Sequence, residues 1–147
     1  MSGITNLLGL NMASPVAIGE TTPNTIRGYL KEITKATSGS LSAAEVAGTI
    51  VNNYGQDAAD VAITLPAAAA GYNFIAQVST TQGSNTWKFT AAAGDKIYLD
   101  GTAGTDAQSV IVTPTIGDFM TMMTFKNTGE TYDWICKSGV GAWTAGA

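Results

Sequence analysis

The chain has 147 residues, of which 45% are hydrophobic and only 12% are charged, and its formal net charge is −4 at pH 7. An ordinary soluble domain carries about 25% charged residues, so small polar side chains and backbone must cover most of this exterior. The acidic balance offers no field that attracts polyphosphate, and no segment approaches the roughly 20 apolar residues of a membrane span. We therefore expect neither a nucleic-acid partner nor membrane insertion, and a surface that packs against copies of itself or other proteins.

Residues 1–14 form an apolar, uncharged segment. It lacks the basic start and the long apolar run of an export signal, so we expect no cleaved leader. The segment either packs back on its own domain or anchors the chain by inserting into a partner or a neighbouring subunit, and we favour the anchor. The candidate anchor side chains are Ile4, Leu7, Leu8, Leu10 and Met12.

A helix is predicted over residues 22–38. Thr22 can cap its start, and Pro23 suits the first helical position, where an N–H is not needed. Apolar residues then recur at helical spacing, and Gly39 lies just past a plausible end. Three basic residues four apart would form one stripe on this helix, which is either a solvated face or a docking site for an acidic neighbour: Arg27, Lys31 and Lys35.

A second helical signal follows. Ser42 with Glu45 three residues later is a capping-box pattern, which predicts one or two helical turns. We therefore divide the chain into an N-terminal anchor segment with a short helical neck, residues 1–47, and a head, residues 48–147.

From Ile50 onward the hydrophobic period changes to two, which predicts strands. Seven strand segments, which glycine-rich turns separate, are predicted: VAITL, FIAQV, WKF, KIYLD, SVIVTP, DFMTMMTFK and TYDWICK. The pattern of DFMTMMTFK and of TYDWICK is compatible with either face pointing inward. About six to eight short strands at this spacing predict a mainly β head, an antiparallel β-sandwich, jelly-roll-like fold or closed barrel.

Two alanine runs interrupt the strands, in LPAAAAG (65–71) and in FTAAAGD (89–95). Alanine is the best helix former, but isolated helices need roughly 12–15 residues, which neither run supplies. We predict that both runs are compact strand connectors in which alanine serves by its small size.

The chemistry available to the chain is narrow, because it contains no histidine and so no Ser-His-Asp triad. A paired-carboxylate enzyme is the alternative, but aspartates in turns usually bond their own backbone. The stretch DGTAGTD lacks the closing glutamate of a calcium loop. We expect no enzymatic activity, no metal and no cofactor. The acids that a carboxylate enzyme would use are Asp95, Asp100, Asp106, Asp118 and Asp133.

The lone cysteine and the three tryptophans bear on packing and on contacts. Cys136 can form no intrachain disulfide, and we interpret it as a small buried hydrophobe. Trp87 and Trp134 lie on predicted strands, where aromatic side chains ordinarily belong to the core, although a sugar-binding shelf is an alternative. Trp143 lies too near the chain end to anchor a deep core on this interpretation, so we expect it at a surface or subunit contact.

Several phrases resemble virion fibre or decoration proteins of tailed phages and prophages. They are SPVAIGETTP (14–23), NNYGQ (52–56), TLPAAAAG (64–71), KIYLDGTA (96–103) and YDWI (132–135). The resemblance covers about residues 41–147 and the short piece before the predicted helix. It departs after TTP, where such fibres usually continue as an extended stalk, whereas NTIRGYLKEITKA predicts a helix here.

The resemblance implies a β-rich C-terminal head, generally trimeric, on a viral surface appendage. The expected function is therefore that of a homotrimeric virion structural protein, a capsid decoration or a short head or tail fibre, with other virion proteins as partners. On this interpretation the apolar residues of the N-terminal segment are the virion anchor. The alternative is the head of a tail fibre that binds a host receptor or glycan.

Overall fold

The computed structural model describes residues 30–146, and strands dominate them. The first part of the predicted helix, residues 22–29, lies outside the described residues. The same holds for the predicted anchor side chains and for one member of the basic stripe: Ile4, Leu7, Leu8, Leu10, Met12 and Arg27.

Twelve strands and one short 3-10 helix, Ala43–Val46, make up the regular structure of the described residues. In chain order the strands are β1 (Lys31–Thr34), β2 (Gly39–Ser40), β3 (Ala47–Asn52), β4 (Val61–Thr64), β5 (Asn73–Gln77), β6 (Trp87–Thr90), β7 (Lys96–Leu99), β8 (Thr102–Asp106), β9 (Ser109–Val112), β10 (Phe119–Lys126), β11 (Tyr132–Val140) and β12 (Thr144–Gly146).

The strands form two mixed sheets. The seven-stranded sheet has the order β1-β3-β5-β10-β11-β7-β8, and the five-stranded sheet has the order β12-β9-β6-β4-β2. The fold is mainly β, as predicted. The prediction that its strands pair mainly antiparallel is wrong, because β1, β3 and β5 run parallel, as do β2, β4 and β6.

The connections explain the parallel pairs. From β1 to β7 the chain changes sheet at every step, and each strand from β3 to β6 lies beside the strand two places earlier in the sequence, whereas β7 lies between β11 and β8. Parallel neighbours need a crossover connection, and here a strand of the opposite sheet supplies it. Tight hairpins between successive strands would instead have paired them antiparallel.

One hydrophobic core joins the two sheets. The ring centroids of Phe74 on β5 and Phe89 on β6 lie 5.5 Å apart, and those of Trp87 and Phe89 lie 4.8 Å apart. The inward faces predicted from the period of two are confirmed, since their side chains are buried: Val61, Ile63, Leu65, Phe74, Ala76, Val78, Trp87, Phe89 and Ile97.

The helix predicted over residues 22–38 is wrong at Lys31–Thr34, because this stretch is strand β1. It pairs in parallel with β3, which places Ile33 opposite Val51 and against the core. Pairing and burial of a β-branched residue here outweigh the local helical spacing. The capping box is confirmed, since the Glu45 carboxylate accepts the Ser42 N–H at 2.8 Å at the start of the 3-10 helix.

Both alanine runs are strand connectors, as predicted, and neither forms a helix. Each carries the chain from the five-stranded sheet to the seven-stranded sheet, between β4 and β5 and between β6 and β7. The Asp95 carboxylate at the end of the second run accepts the Ala68 N–H of the first run at 2.7 Å. The small side chains thus let two crossings lie side by side at one end of the core.

Candidate subunit interface

The outer face of the seven-stranded sheet carries a set of apolar side chains. Its outward side chains follow from the pairing register, in which Met123 lies between Asn73 and Ile135, and Ile135 lies opposite Tyr98. Residues directly opposite on neighbouring strands point to the same face. We call the following set the outer apolar face: Ile50, Ile75, Tyr98, Phe119, Met123, Phe125, Ile135 and Val140.

Three members of the outer apolar face expose much of their side chains to solvent. Val140 is 53% exposed, Met123 46% and Phe119 39%. Tyr98 and Phe125 stack edge to face at a centroid distance of 5.2 Å, which fixes both rings on the surface side of the sheet. Single exposed apolar side chains are ordinary, but a contiguous set on one sheet face marks an interaction surface.

Charge is scarce on this face of the sheet. Glu32 lies opposite Ile50, and its carboxylate accepts the Asn52 side-chain amide. Lys137 lies opposite Thr121, and its ammonium pairs with the Asp100 carboxylate at 2.8 Å. Both charges therefore have partners within the chain. Lys137 ends the row of Ile50, Ile75 and Thr121, whereas the adjacent row of Met123, Ile135 and Tyr98 carries no charged side chain.

A β-bulge shapes one end of the outer apolar face. The register of β10 against β11 shifts between Phe119 and Met120, which places Phe119 opposite Val140. The Phe119 ring lies directly over Gly139, where a Cβ atom would overlap it. Glycine at this position lets the ring lie flat on the sheet and brings two exposed apolar side chains together.

A groove lies at the other end of the same face. It has a volume of about 400 Å³, and its lining includes Leu30, Ile75 and Met123. Gly48, which also lines it, has a φ of +71° at a register shift of β3 against β5. This left-handed conformation suits glycine, and the bulge opens the sheet surface beside Leu30.

The outer face of the five-stranded sheet differs in composition. Its outward positions include Thr64, Lys88 and Thr90, and the Thr90 hydroxyl bonds that of Ser109 at 2.8 Å. Ile111 is partly covered, because its side chain packs against the backbone of β12. The outer apolar face thus belongs to one side of the molecule only.

Among residues 30–146, the two lysines of the predicted basic stripe, Lys31 and Lys35, do not lie on a helix. Lys31 begins strand β1. The Lys35 ammonium pairs with the Glu45 carboxylate at 2.9 Å and donates to the Ser40 carbonyl at 3.0 Å. Lys35 is therefore engaged within its own domain, between β1 and the 3-10 helix.

Trp143 is buried, with only 6% of its surface exposed. Its ring lies 6.4 Å from that of Trp87, and its Nε1–H donates to the Val140 carbonyl at 2.9 Å. This corrects the expectation that Trp143 lies too near the chain end to anchor a core. Little of its side chain is left for a subunit contact.

The five aspartates that the sequence places in turns bond backbone or neighbouring side chains, and two of them, Asp106 and Asp133, lie in strands β8 and β11. Asp106 accepts the Gly94 N–H at 2.6 Å, and Asp118 accepts the Thr115 N–H at 3.0 Å. Asp133 is buried and accepts the Lys96 N–H at 2.9 Å. The hydrogen bonds from Lys137 and Ser138 lower the pKa of Asp100.

Cys136 is buried on β11, and burial, with a smaller contribution from the Asp100 charge, raises the pKa of its thiol to about 12.

Within residues 30–146, no group of three or more His, Cys, Asp or Glu side chains could hold a metal ion. In the same part of the chain, no helix is long and apolar enough to cross a membrane.

No protein-family model matches the chain, and no curated protein matches it either. The structural observations on the outer apolar face therefore carry the functional argument, together with the sequence resemblance described above.

Proposed function

We propose that this protein is a small structural subunit of a phage virion. It assembles as a homotrimer, a capsid decoration or a short head or tail fibre, and its N-terminal segment anchors it to other virion proteins. The low charge of the chain, the resemblance of its sequence phrases and the outer apolar face support this proposal. The turn aspartates bond neighbouring groups of their own chain, which favours a structural function over catalysis.

The observation that carries the proposal is the outer apolar face. Three of its side chains are 39–53% exposed in the isolated chain, and Ile50, Ile75 and Ile135 of the same face are half-buried. Burial of apolar surface stabilises association by roughly 25 cal/mol per Å². Contact between copies through this face would therefore remove exposed apolar surface from water.

The finer architecture belongs to the same proposal. The two sheets would form a β-sandwich head, because Phe74 and Phe89 approach each other from different sheets and one core joins both. In such a head one sheet faces the subunit interface, and the other, with Thr64 and Lys88 outward, faces solvent.

Imaging of particles tests the virion assignment. Virions carrying a tagged copy of this chain are expected to show the tag at regular positions on the capsid or on the tail when a gold-conjugated antibody is used in electron microscopy. Particles of the same phage without the tag are the control. Purified particles that contain none of the chain would contradict the proposal.

A second candidate function is recognition of a host receptor or glycan. Tyr54 is 71% exposed and Ile116 is 67% exposed, and both lie on loops at the same end of the molecule. The Gly55 N–H donates to the Thr80 hydroxyl and the Ile116 N–H to that of Thr81, so a shared loop holds both. A rigid, exposed tyrosine is a low-entropy contact residue.

A glycan array and a pull-down on host envelope fractions discriminate the two functions. If the head recognises a host surface, binding is expected and the Tyr54→Ala variant should lose it, while the Thr64→Ala variant on the five-stranded sheet should bind like the unsubstituted chain. If neither assay detects binding, the structural function alone remains.

A further inference from the structure

We propose that the groove lined by Leu30, Ile75 and Met123 binds the apolar N-terminal segment of a second copy of this chain. The inference rests on the proposed self-assembly and deepens it, since it names the surface that receives the anchor segment.

The groove fits an uncharged apolar ligand. It offers a volume of about 400 Å³, and none of its lining residues is charged. Met123 and Leu30 are about half exposed at its walls, at 46% and 51%. Asn73 and Thr121 supply polar groups at its rim, which can bond the backbone of an extended segment.

The occupant has matching chemistry. Residues 1–14 contain no charged side chain and six large apolar ones, Met1 and the five anchor candidates. Burying aliphatic side chains of this kind stabilises a complex, so a groove that takes two or three of them would hold the segment. Within residues 30–146, no segment covers the groove.

The length of the chain between the segment and the groove allows it to reach a second copy. Leu30 lies at the groove, and β1 runs from there along β3, away from the groove. Residues 15–29 can span roughly 50 Å when extended, which exceeds the diameter of about 27–35 Å expected for a domain of this size.

Cysteine cross-linking between differently tagged chains tests the inference. One chain carries Leu8→Cys and the other carries Met123→Cys, and both keep Cys136, which is buried and has a pKa of about 12. The two chains are refolded together and treated with a mild oxidant. The matched control replaces Met123→Cys by Thr64→Cys, an exposed position on the other sheet.

We expect an interchain product between the Leu8→Cys and Met123→Cys chains at a yield roughly tenfold or more above the control, because segments held together react at millimolar effective concentrations. Closure within one chain carrying both substitutions, without an interchain product, would overturn the inference in favour of packing on the same chain. Equal yields for the Met123→Cys and Thr64→Cys chains would overturn it as well. The mass of the unsubstituted chain separates the two proposals, since a trimer without the cross-link refutes only the groove, whereas a monomer refutes the assembly.

Discussion

At the residue scale, a buried amide cluster within NNYGQ holds the loops at one end of the molecule. The Asn53 side chain is fully buried and donates to the Gln56 side chain at 3.0 Å and to the Thr80 carbonyl at 2.8 Å. Its oxygen accepts the N–H groups of Ser79 and Thr80 at 2.7 and 2.9 Å. Because every polar atom of this side chain has a partner, it ties two loops that are distant in sequence.

The Asn53→Ala substitution should lower the free energy of unfolding by about 2–4 kcal/mol, since buried groups left without a partner cost about 1–3 kcal/mol each. Chemical denaturation measures this difference. The control is Asn73→Ala, at an exposed position whose side chain donates only to the Gly71 carbonyl at 3.0 Å, and it should change stability far less. Equal effects of the two substitutions would show that the cluster does not hold the loops.

Glu45 makes stability depend on pH in the acid range. The Ser42 N–H, then the hydrogen bond from Lys35, lowers the pKa of its carboxyl from the ordinary 4.5 to about 2. A lowered pKa means that the charged form is favoured in the folded state. The contribution to stability is therefore complete above pH 4.5 and is lost as the pH falls towards 2.

The Glu45→Gln variant should be less stable than the unsubstituted chain at neutral pH, and the difference should shrink between pH 4.5 and pH 2. Asp60 and Asp100, whose pKa values hydrogen bonds also lower, are present in both proteins and so cancel in the comparison. Urea unfolding across this range measures the difference. Glu130→Gln, at a side chain 86% exposed, is the matched control. A difference that stays constant with pH would contradict the assignment.

At the element scale, strand β4 shows how the period of two separates core from surface. Ile63 is fully buried and contributes to the core, whereas the adjacent Thr64 points outward and is exposed. Ile63→Ala should therefore cost about 2–5 kcal/mol of stability, while Thr64→Ala should stay within about 0.5–1 kcal/mol. Thermal or chemical denaturation of the two variants makes the comparison. Similar losses at both positions would contradict the assigned faces.

The same alternation located seven of the strands from the sequence alone, because each buries one face. It missed β2 and β12, which have only two and three residues, and β8, where DGTAGTD carries turn residues and no alternation. The helical spacing up to Ile33 predicted a helix because local pattern cannot show that β3, further along the chain, offers a pairing partner. The parallel pairs were missed for a similar reason, since they depend on which sheet each connector enters.

The sequence shows that β10 is apolar on both faces, but it does not show which face belongs to the candidate interface. The β10 segment DFMTMMTFK was compatible with either face inward because both of its faces are apolar. Met120 and Met122 belong to the core, and Met123 belongs to the outer apolar face. Only the sheet order decides which side is buried within the chain and which remains for a partner.

At the scale of the whole molecule, the low charge of the chain and the apolar side chains on one sheet both favour contact between copies. Only 12% of the residues are charged, and the apolar side chains that remain exposed on strands β10 and β11 lie on one sheet. Obligate interfaces are more apolar than ordinary surfaces and resemble a domain core. The central claim is therefore that the outer apolar face is a contact between copies of this chain.

The solution mass of the Met123→Glu variant, by light scattering at micromolar concentration, tests this claim most directly. The unsubstituted chain is expected at about three times its mass of 15.1 kDa, and so is the control Thr64→Glu on the other sheet. Met123→Glu should fold, because Met123 is 46% exposed, but should have the mass of a single chain, since a buried unpaired carboxylate opposes assembly. A monomeric unsubstituted chain, or a Met123→Glu variant that remains trimeric, would contradict the claim.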